Sequence, residues 1–194
     1  MLSTTPFHRF GVTVRSRDET KRDRRVHRDE EQLLLSACVT MNAAEHKWVG
    51  PAMHDRLIGA IDTCCRQGEM LRIRRDVGWT QHQIIIRGAN AKDAENRRIP
   101  FDPHGRLAPI LKRRATLGTH AFVFGAPDGE FQDSFKTAWE SLQLVAYGHE
   151  TKRAKPGVRV DRKTLQEIDL HWHDLRHEGA CRLLADGVDI RVVQ

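Results

Sequence analysis

Residues 170–187 read LHWHDLRHEGACRLLADG, and the fold assignment rests on this stretch. From Asp174 onward its apolar residues recur at near-helical spacing, which predicts a helix with one apolar stripe. Asp174 suits the N-cap position, where a side-chain oxygen accepts a backbone N–H. Gly187 suits the left-handed position that follows the last helical turn. The stretch therefore predicts a helix that begins at Asp174 and closes at Gly187.

His173 and Arg176 lie one helical turn apart at the start of this helix, so they share a face. A proton-transfer group beside a permanent cation, at the positive end of a helix, suits an anion that changes charge during a reaction. The alternative is that His173 caps the helix and Arg176 pairs with a surface carboxylate.

Composition limits the class of protein. The 194 residues suffice for one good core. The chain is 30% charged and 39% hydrophobic, and it carries a net charge of +6. This balance favours a polyanionic partner, and nucleic acid is the leading candidate. No apolar run approaches the roughly 18 residues of a membrane span, and the N-terminus lacks a signal peptide's apolar core. We therefore predict a cytoplasmic protein with no membrane association.

The four cysteines lack C-x-x-C spacing, and two of them are adjacent in apolar surroundings: Cys38, Cys64, Cys65 and Cys181. We interpret them as reduced packing residues and not as a disulfide framework or a zinc site.

Residues 1–28 are predicted to be a basic arm or interdomain linker, and residues 29–194 one domain. Between Arg9 and Arg28, eight Lys or Arg residues face three acidic residues, and apolar residues are sparse. Arg22, Arg24 and Arg25 are the candidates for contacts with DNA phosphates. The alternative is a solvated tail.

Two helices follow. The first is predicted from Asp29 to about residue 43, because acidic residues open it and apolar residues continue at helical spacing. The second is predicted from about Pro51 to the segment around Gly68, which is expected to break it. Arg66 would lie at this helix exit, where a partly buried guanidinium needs an anion or several acceptors. Glu69 could supply an internal partner.

A β-hairpin is predicted next. His82–Arg87 contains three consecutive isoleucines and is predicted to be the first strand. Arg97–Phe101 is predicted to be the second strand, and the polar, turn-rich connection between them carries Lys92. Helices are predicted at residues 104–117 and 131–147. Residues 148–163 form a basic loop punctuated by Pro and Gly, with Lys152, Arg153 and Lys155 as candidate DNA contacts.

Three of these elements, in this order, resemble the catalytic domain of tyrosine recombinases, the phage integrase family. They are Arg66 with Glu69, the hairpin with Lys92, and HDLRH at residues 173–177. The closing LLADGVDI at residues 183–190 also resembles the family, and the resemblance covers roughly residues 25–194. It implies an α+β fold, mostly helical, with a small antiparallel sheet.

The resemblance also implies a reaction. In this family a tyrosine hydroxyl attacks a DNA phosphodiester, leaving a 3′-phosphotyrosine and a free 5′-hydroxyl, without metal or other cofactor. Arg66 and Arg176 would hold the non-bridging oxygens. Lys92 would protonate the leaving 5′-oxygen, and His173 would assist proton transfer. The implied partner is double-stranded DNA, with self-association on DNA in the full-length form. We expect Arg66, Lys92, His173 and Arg176 to converge on one basic concave face.

The sequence also departs from the family pattern. The family carries a second His or Trp and then the nucleophilic tyrosine beyond the second arginine, whereas Gln194 follows Arg176 by only 18 residues. Tyr147 precedes the His173 motif and is interpreted as a core or rim residue. We therefore expect a truncated recombinase domain that binds DNA without cutting it.

Two alternatives from other classes remain open. One is a non-catalytic DNA-binding module that keeps the phosphate-binding arginines. The other is a metal-dependent hydrolase that uses His171, His173 and His177, although the Glu of an H-E-x-x-H motif is absent and Arg176 would repel a cation.

Overall fold

The computed structural model describes residues 24–43, 49–74, 77–78, 81–90, 96–149 and 162–189. In chain order the elements are α1 (Arg28–Ala43), α2 (Val49–Thr63), α3 (Gln67–Met70), β1 (Val77–Gly78), β2 (Gln83–Ile86), β3 (Arg97–Pro100), α4 (Leu107–Ala115), α5 (Lys136–Ala146), α6 (Arg162–Ile168) and α7 (Trp172–Ala185). The predicted α+β class, mostly helical with a small antiparallel sheet, is confirmed.

Helix α2 lies at the centre of the fold. It is buried along most of its length and packs against α1, α4, α5 and α7. Helix α1 opens with three acidic residues that favour the positive end of the helix dipole, as predicted. Val26, two residues before α1, is fully buried in the same core. The boundary predicted at residue 28 stays a prediction, because residues 1–23 lie outside the described residues.

The hairpin is confirmed, with Ile84 opposite Ile99 and Ile86 opposite Arg97. A short strand that the sequence pattern did not predict, β1, pairs with β2 and makes the sheet three-stranded, in the order β1-β2-β3. Ile84 and Ile86 point into the core, so the hairpin is anchored on one face.

The predicted end of α2 near Gly68 is wrong. The helix ends at Thr63, and Cys64 adopts a left-handed conformation with φ of 50°. The Thr63 hydroxyl donates to the carbonyl of Gly59 at 2.6 Å and accepts the N–H of Cys65 at 3.2 Å, so it terminates the helix there. Gly68 lies inside α3 instead.

The predicted N-cap of α7 is also wrong. The cap is His171, and Asp174 is the third residue of the helix. The Asp174 carboxylate accepts the backbone N–H of His171 at 2.8 Å, so it satisfies a donor ahead of the first turn. Gly187 has φ of 85° just after the helix, as predicted.

Other helix bounds also differ from the prediction, and two of the differences are large. Helix α5 begins at Lys136 and not at Phe131, which lies 43% exposed in the preceding loop. Helix α6 begins at Arg162, within the segment predicted to be a loop.

Two buried arginines fix the loop at residues 122–127. Arg56, from α2, donates to the carbonyls of Phe124 and Gly125 at 3.0 and 2.8 Å. Arg114, from α4, donates to the carbonyls of Phe122 and Val123 at 3.0 and 2.8 Å. Because these donors come from two separate helices, the loop backbone is held in one position although it forms no regular element.

Among the described residues, no helix combines the length and apolar character required to cross a membrane.

Candidate functional site

The site begins at the turn between α2 and α3, where Arg66 meets Glu69. Glu69 is 3% exposed and accepts the backbone N–H of Arg66 at 3.0 Å and its Nη1 at 2.9 Å. The internal partner that the sequence suggested for Arg66 is therefore present. Because both the backbone and the guanidinium are bound, the direction of the Arg66 side chain is fixed.

Arg97 of β3 joins the same carboxylate, which the sequence reasoning did not foresee. Its Nη2 donates to Oε2 of Glu69 at 2.7 Å. Burial alone would raise the pKa of Glu69, but the hydrogen bonds from Arg66 and the charge of Arg97 outweigh burial and lower it. The pair joins α3 to the hairpin across 28 residues of sequence. The sequence marks this role of Arg97 only weakly. Arg97 is the first of two consecutive arginines on β3, the strand that pairs with β2.

Helix α7 brings Arg176 and His173 to the same place. Burial lowers the pKa of Arg176, and the positive charges of Arg66 and Arg97 lower it further. Burial also lowers the pKa of His173. The charges of His177 and Arg176 lower it further, and the charge of Arg66 does so more weakly. Arg66 acts electrostatically on both His173 and Arg176, and Arg97 acts on Arg176, so side chains from three separate elements lie close enough to interact.

Arg176 has a donor in this site that is left without an acceptor. Nη1 of Arg176 is buried and has no hydrogen-bond partner in the described parts of the chain. A desolvated cation beside two other guanidinium groups is unfavourable unless an anion approaches. The arrangement is therefore suited to bind an oxyanion, for which guanidinium groups have matching geometry.

Five predicted site residues lie outside the described residues: Lys92, Arg22, Lys152, Arg153 and Lys155. Their roles stay predictions.

Arg24 and Arg25, predicted to contact DNA, both bind carboxylates within the protein. Arg24 donates to Glu30 at 2.9 Å and to the carbonyl of Asp169 at 3.1 Å. Arg25 donates to Glu178 at 2.8 Å. These contacts fasten the residues before α1 to the start of α1 and to α7. A role of either arginine on DNA stays a prediction.

The hydroxyl of Tyr147 donates to Glu30, which also binds Arg24. Burial and this hydrogen bond raise the pKa of Tyr147 to about 12. The largest charge effects on Tyr147 come from Glu30 and Arg24. Its ring packs against the edge of the core.

The histidines of the alternative metal site have other contacts. His171 caps α7, while His173 and His177 meet edge to face with ring centroids 4.4 Å apart. Across the described ranges, no group of three or more His, Cys, Asp or Glu residues is arranged to hold a metal ion.

Comparisons with known proteins identify the fold. The chain is 29% identical over 148 residues to tyrosine recombinase XerA of Pyrococcus furiosus, a match that covers 73% of this chain and 45% of the relative. The structure of the Tn1549 transposon integrase in complex with transposon right end DNA has a TM-score of 0.61 at 17% identity, covering 91% of this chain and 58% of that one. A second complex of that integrase, with circular intermediate DNA, has a TM-score of 0.58 at 16% identity with the same coverage.

The resemblance inferred from the sequence is thereby confirmed, and the fold is that of a tyrosine recombinase catalytic domain. No protein-family model matches the chain. The chain spans about half the length of the relatives it matches, 45% of the recombinase and 58% of the integrase.

Proposed function

We propose that the site of Arg66, Arg97, His173 and Arg176 binds a phosphodiester of double-stranded DNA, and that the chain serves site-specific DNA recombination. The observation that carries the proposal is the buried Nη1 of Arg176, which has no acceptor in the described residues and lies beside Arg66. A DNA phosphate supplies the missing negative charge. The recombinase fold and the integrase complexes with DNA support the same assignment.

The proposed roles follow from charge development at phosphorus. Attack on a phosphodiester places additional negative charge on the non-bridging oxygens, and cations positioned beforehand stabilise it. Arg66 and Arg176 would each donate to these oxygens, since a guanidinium can bind phosphate through two N–H groups. Glu69 touches no substrate in this scheme. It positions Arg66 by binding both its backbone and its side chain.

His173 would hold a phosphate oxygen or pass a proton. Its lowered pKa keeps the imidazole neutral at neutral pH until an anion arrives, and a bound phosphate would raise the pKa again. Lys92, from the hairpin connection, is proposed to protonate the leaving 5′-oxygen.

The binding step is tested with a labelled duplex at several salt concentrations. We expect weak binding whose affinity falls steeply with salt, because contacts to phosphates release counterions. Arg66→Gln should weaken binding about tenfold and lower the salt slope by about one. Lys112→Gln removes one exposed positive charge from α4 and is the charge-matched control. Affinity that does not change with salt would contradict the proposal.

A second candidate, DNA binding without cleavage, is favoured by the contact between Tyr147 and Glu30. Tyr147 is the one tyrosine of the sequence, and its hydroxyl is bound to a carboxylate that does not belong to the arginine site. An attacking hydroxyl must reach the phosphorus held by the arginines. We therefore propose that residues 1–194 form no covalent adduct with DNA.

A nicked suicide substrate followed by denaturing electrophoresis separates the two candidates. Free protein and unmodified DNA are the expected result. A shifted protein–DNA band that Tyr147→Phe abolishes would make Tyr147 the nucleophile and restore the cleaving function to this chain.

A further inference from the structure

A second basic cavity opens beside Glu69. Its volume is about 680 Å³, within the range of roughly 300–1,000 Å³ that is usual for ligand sites. Its walls include three arginines, two phenylalanines and an isoleucine of β2, namely Arg72, Arg74, Arg87, Phe122, Phe131 and Ile85. The roles proposed above use none of these side chains.

The two phenylalanines form an aromatic wall. Their ring centroids are 5.1 Å apart with the planes inclined at 57°, and Phe131 is 43% exposed. Arg114 donates to the carbonyl of Phe122 and thereby fixes its backbone from α4. The exposed ring of Phe131, packed against the half-buried Phe122, presents a surface on which a flat ring can stack.

The arginines are aligned with this wall. The guanidinium of Arg74 lies 4.6 Å from the centroid of Phe122, and that of Arg72 lies 5.6 Å from the centroid of Phe131. Nη1 of Arg72 also donates to the carbonyl of Gly68 at 2.9 Å. Among the described residues of the lining, Glu69 is the one carboxylate, and it already binds Arg66 and Arg97. The described walls therefore carry an excess of positive charge beside an aromatic surface.

Glu69 connects this cavity to the arginine site, because its carboxylate binds Arg66 while its side chain also lines the cavity. A polyanion whose phosphate lies at Arg66 would therefore meet a second cationic surface nearby. Cationic grooves combined with aromatic stacking surfaces are what proteins use to hold single-stranded nucleic acid. A base inside a duplex cannot offer its face to such a wall, because both of its faces are stacked on neighbouring base pairs.

We infer that the cavity binds one unpaired nucleotide of DNA next to the phosphate at the arginine site. The base stacks on the exposed ring of Phe131, which packs against Phe122 at an angle, and the arginines bind the adjoining phosphates. This inference rests on the proposed function, because the arginine site supplies the neighbouring phosphate.

The test compares two DNA ligands, a blunt duplex and the same duplex with a short single-stranded overhang. We expect the protein to bind the overhang ligand about tenfold more tightly, since stacking of one base has an effect of that order. Phe131→Leu keeps an apolar side chain but removes the aromatic face. It should abolish the preference and leave affinity for the blunt duplex within about twofold. Leu33→Ala changes a residue of similar exposure (41%) on α1 and is the control for surface truncation.

Arg74→Gln is a second variant that leaves the backbone intact, because Arg74 pairs with Phe122 through a backbone bridge. It should also reduce the preference. Thermal unfolding of each variant shows that the fold is kept.

The outcomes distinguish the two proposals. Equal affinity for both ligands would overturn the cavity assignment and leave the proposed function standing. A preference that survives in both Phe131→Leu and Arg74→Gln would also overturn the assignment. If the protein bound the overhang ligand but not the blunt duplex, and both variants lost this binding, the cavity assignment would be supported and the proposed binding of duplex DNA would be overturned. Absence of binding to either ligand would overturn both.

Discussion

Gly179 of α7 lies directly against the carbonyl oxygen of Ile61 in α2. A Cβ atom built on Gly179 would be 2.0 Å from that oxygen and 2.9 Å from Sγ of Cys64. The two helices therefore meet through their backbones, at a distance that only glycine permits. Arg176 lies one turn before Gly179, and Arg66 follows closely after the end of α2, so this contact determines how near the two arginines come.

Gly179→Ala should destabilise the protein by roughly 1–3 kcal/mol, because the added methyl group forces two packed helices apart. Urea unfolding measures the effect. Gly68→Ala is the matched control, since a Cβ there meets only the end of the flexible Arg72 side chain at 3.3 Å. Its expected effect is neutral or slightly stabilising, as for alanine in a helix. Equal stability of the two variants would contradict the close helix contact.

Arg176→Gln should weaken DNA binding without lowering stability. The substitution removes a partly desolvated cation that Arg66 and Arg97 repel, so the free energy of unfolding should stay the same or rise. Affinity for a duplex should fall about tenfold, with a salt slope smaller by about one.

Arg182→Gln, on the same helix, supplies the contrast. Arg182 binds two buried carboxylates, Glu178 at 2.9 Å and Glu31 at 2.6 Å, so its loss should cost about 1–3 kcal/mol of stability. If Arg176→Gln destabilised the protein as much as Arg182→Gln, Arg176 would have a structural partner and the open anion site would be excluded.

Glu69→Gln should lower the free energy of unfolding by about 1–3 kcal/mol at neutral pH, because two arginines lose a charged acceptor. The pKa of Glu69 is lowered in the fold, so its contribution is present above the ordinary value of 4.5 and is lost as the pH falls through the folded pKa. The difference between wild type and variant should therefore narrow under acid conditions. Glu167→Gln, which removes an exposed partner of Lys163, should change stability by less than about 0.5 kcal/mol at any pH.

The sequence alone predicted the elements whose signals are local. The isoleucines at residues 84–86 predicted the hairpin, and the spacing of Arg176 after His173 placed both on one helix face. Arg66 was predicted at the exit of a helix, whereas it lies in the turn after α2, at the N-cap of α3. The helix ends because the Thr63 hydroxyl and the left-handed Cys64 turn the chain, and not because of Gly68.

What the sequence could not predict depends on contacts between distant residues. Arg97 of the hairpin binds Glu69 of α3, and no local spacing marks it as a partner. Aspartate is common at N-cap positions, yet Asp174 is the third residue of α7 and is buried in its first turn. Gly179 lies within a helix and not in a turn. The need for glycine there arises only because the carbonyl oxygen of Ile61 in α2 lies against it.

His173 should make stability depend on pH near neutrality. Its pKa is lowered in the fold by burial and by the charges of His177 and Arg176, so the unfolded chain takes up its proton first. Stability is therefore full above the ordinary value of 6.5 and decreases as the pH falls through it. His173→Gln should flatten this decrease in thermal unfolding, whereas His104→Gln, at an exposed position, should not. An unchanged pH profile in His173→Gln would exclude the lowered pKa.

Tyr147 should stay protonated far above the ordinary pKa of a phenol. Its hydroxyl donates to Glu30, and burial with this contact raises its pKa from 10.0 to about 12. Because the sequence contains one tyrosine, the phenolate absorbance reports this residue alone. The raised pKa means that the contact stabilises the fold fully below pH 10.0 and is lost as the pH rises toward 12. Glu30→Gln should move the absorbance midpoint down toward 10.0, and Tyr147→Phe should remove the signal. A wild-type midpoint at 10.0 would show that the hydroxyl is not bound to Glu30, and it would reopen Tyr147 as a candidate nucleophile.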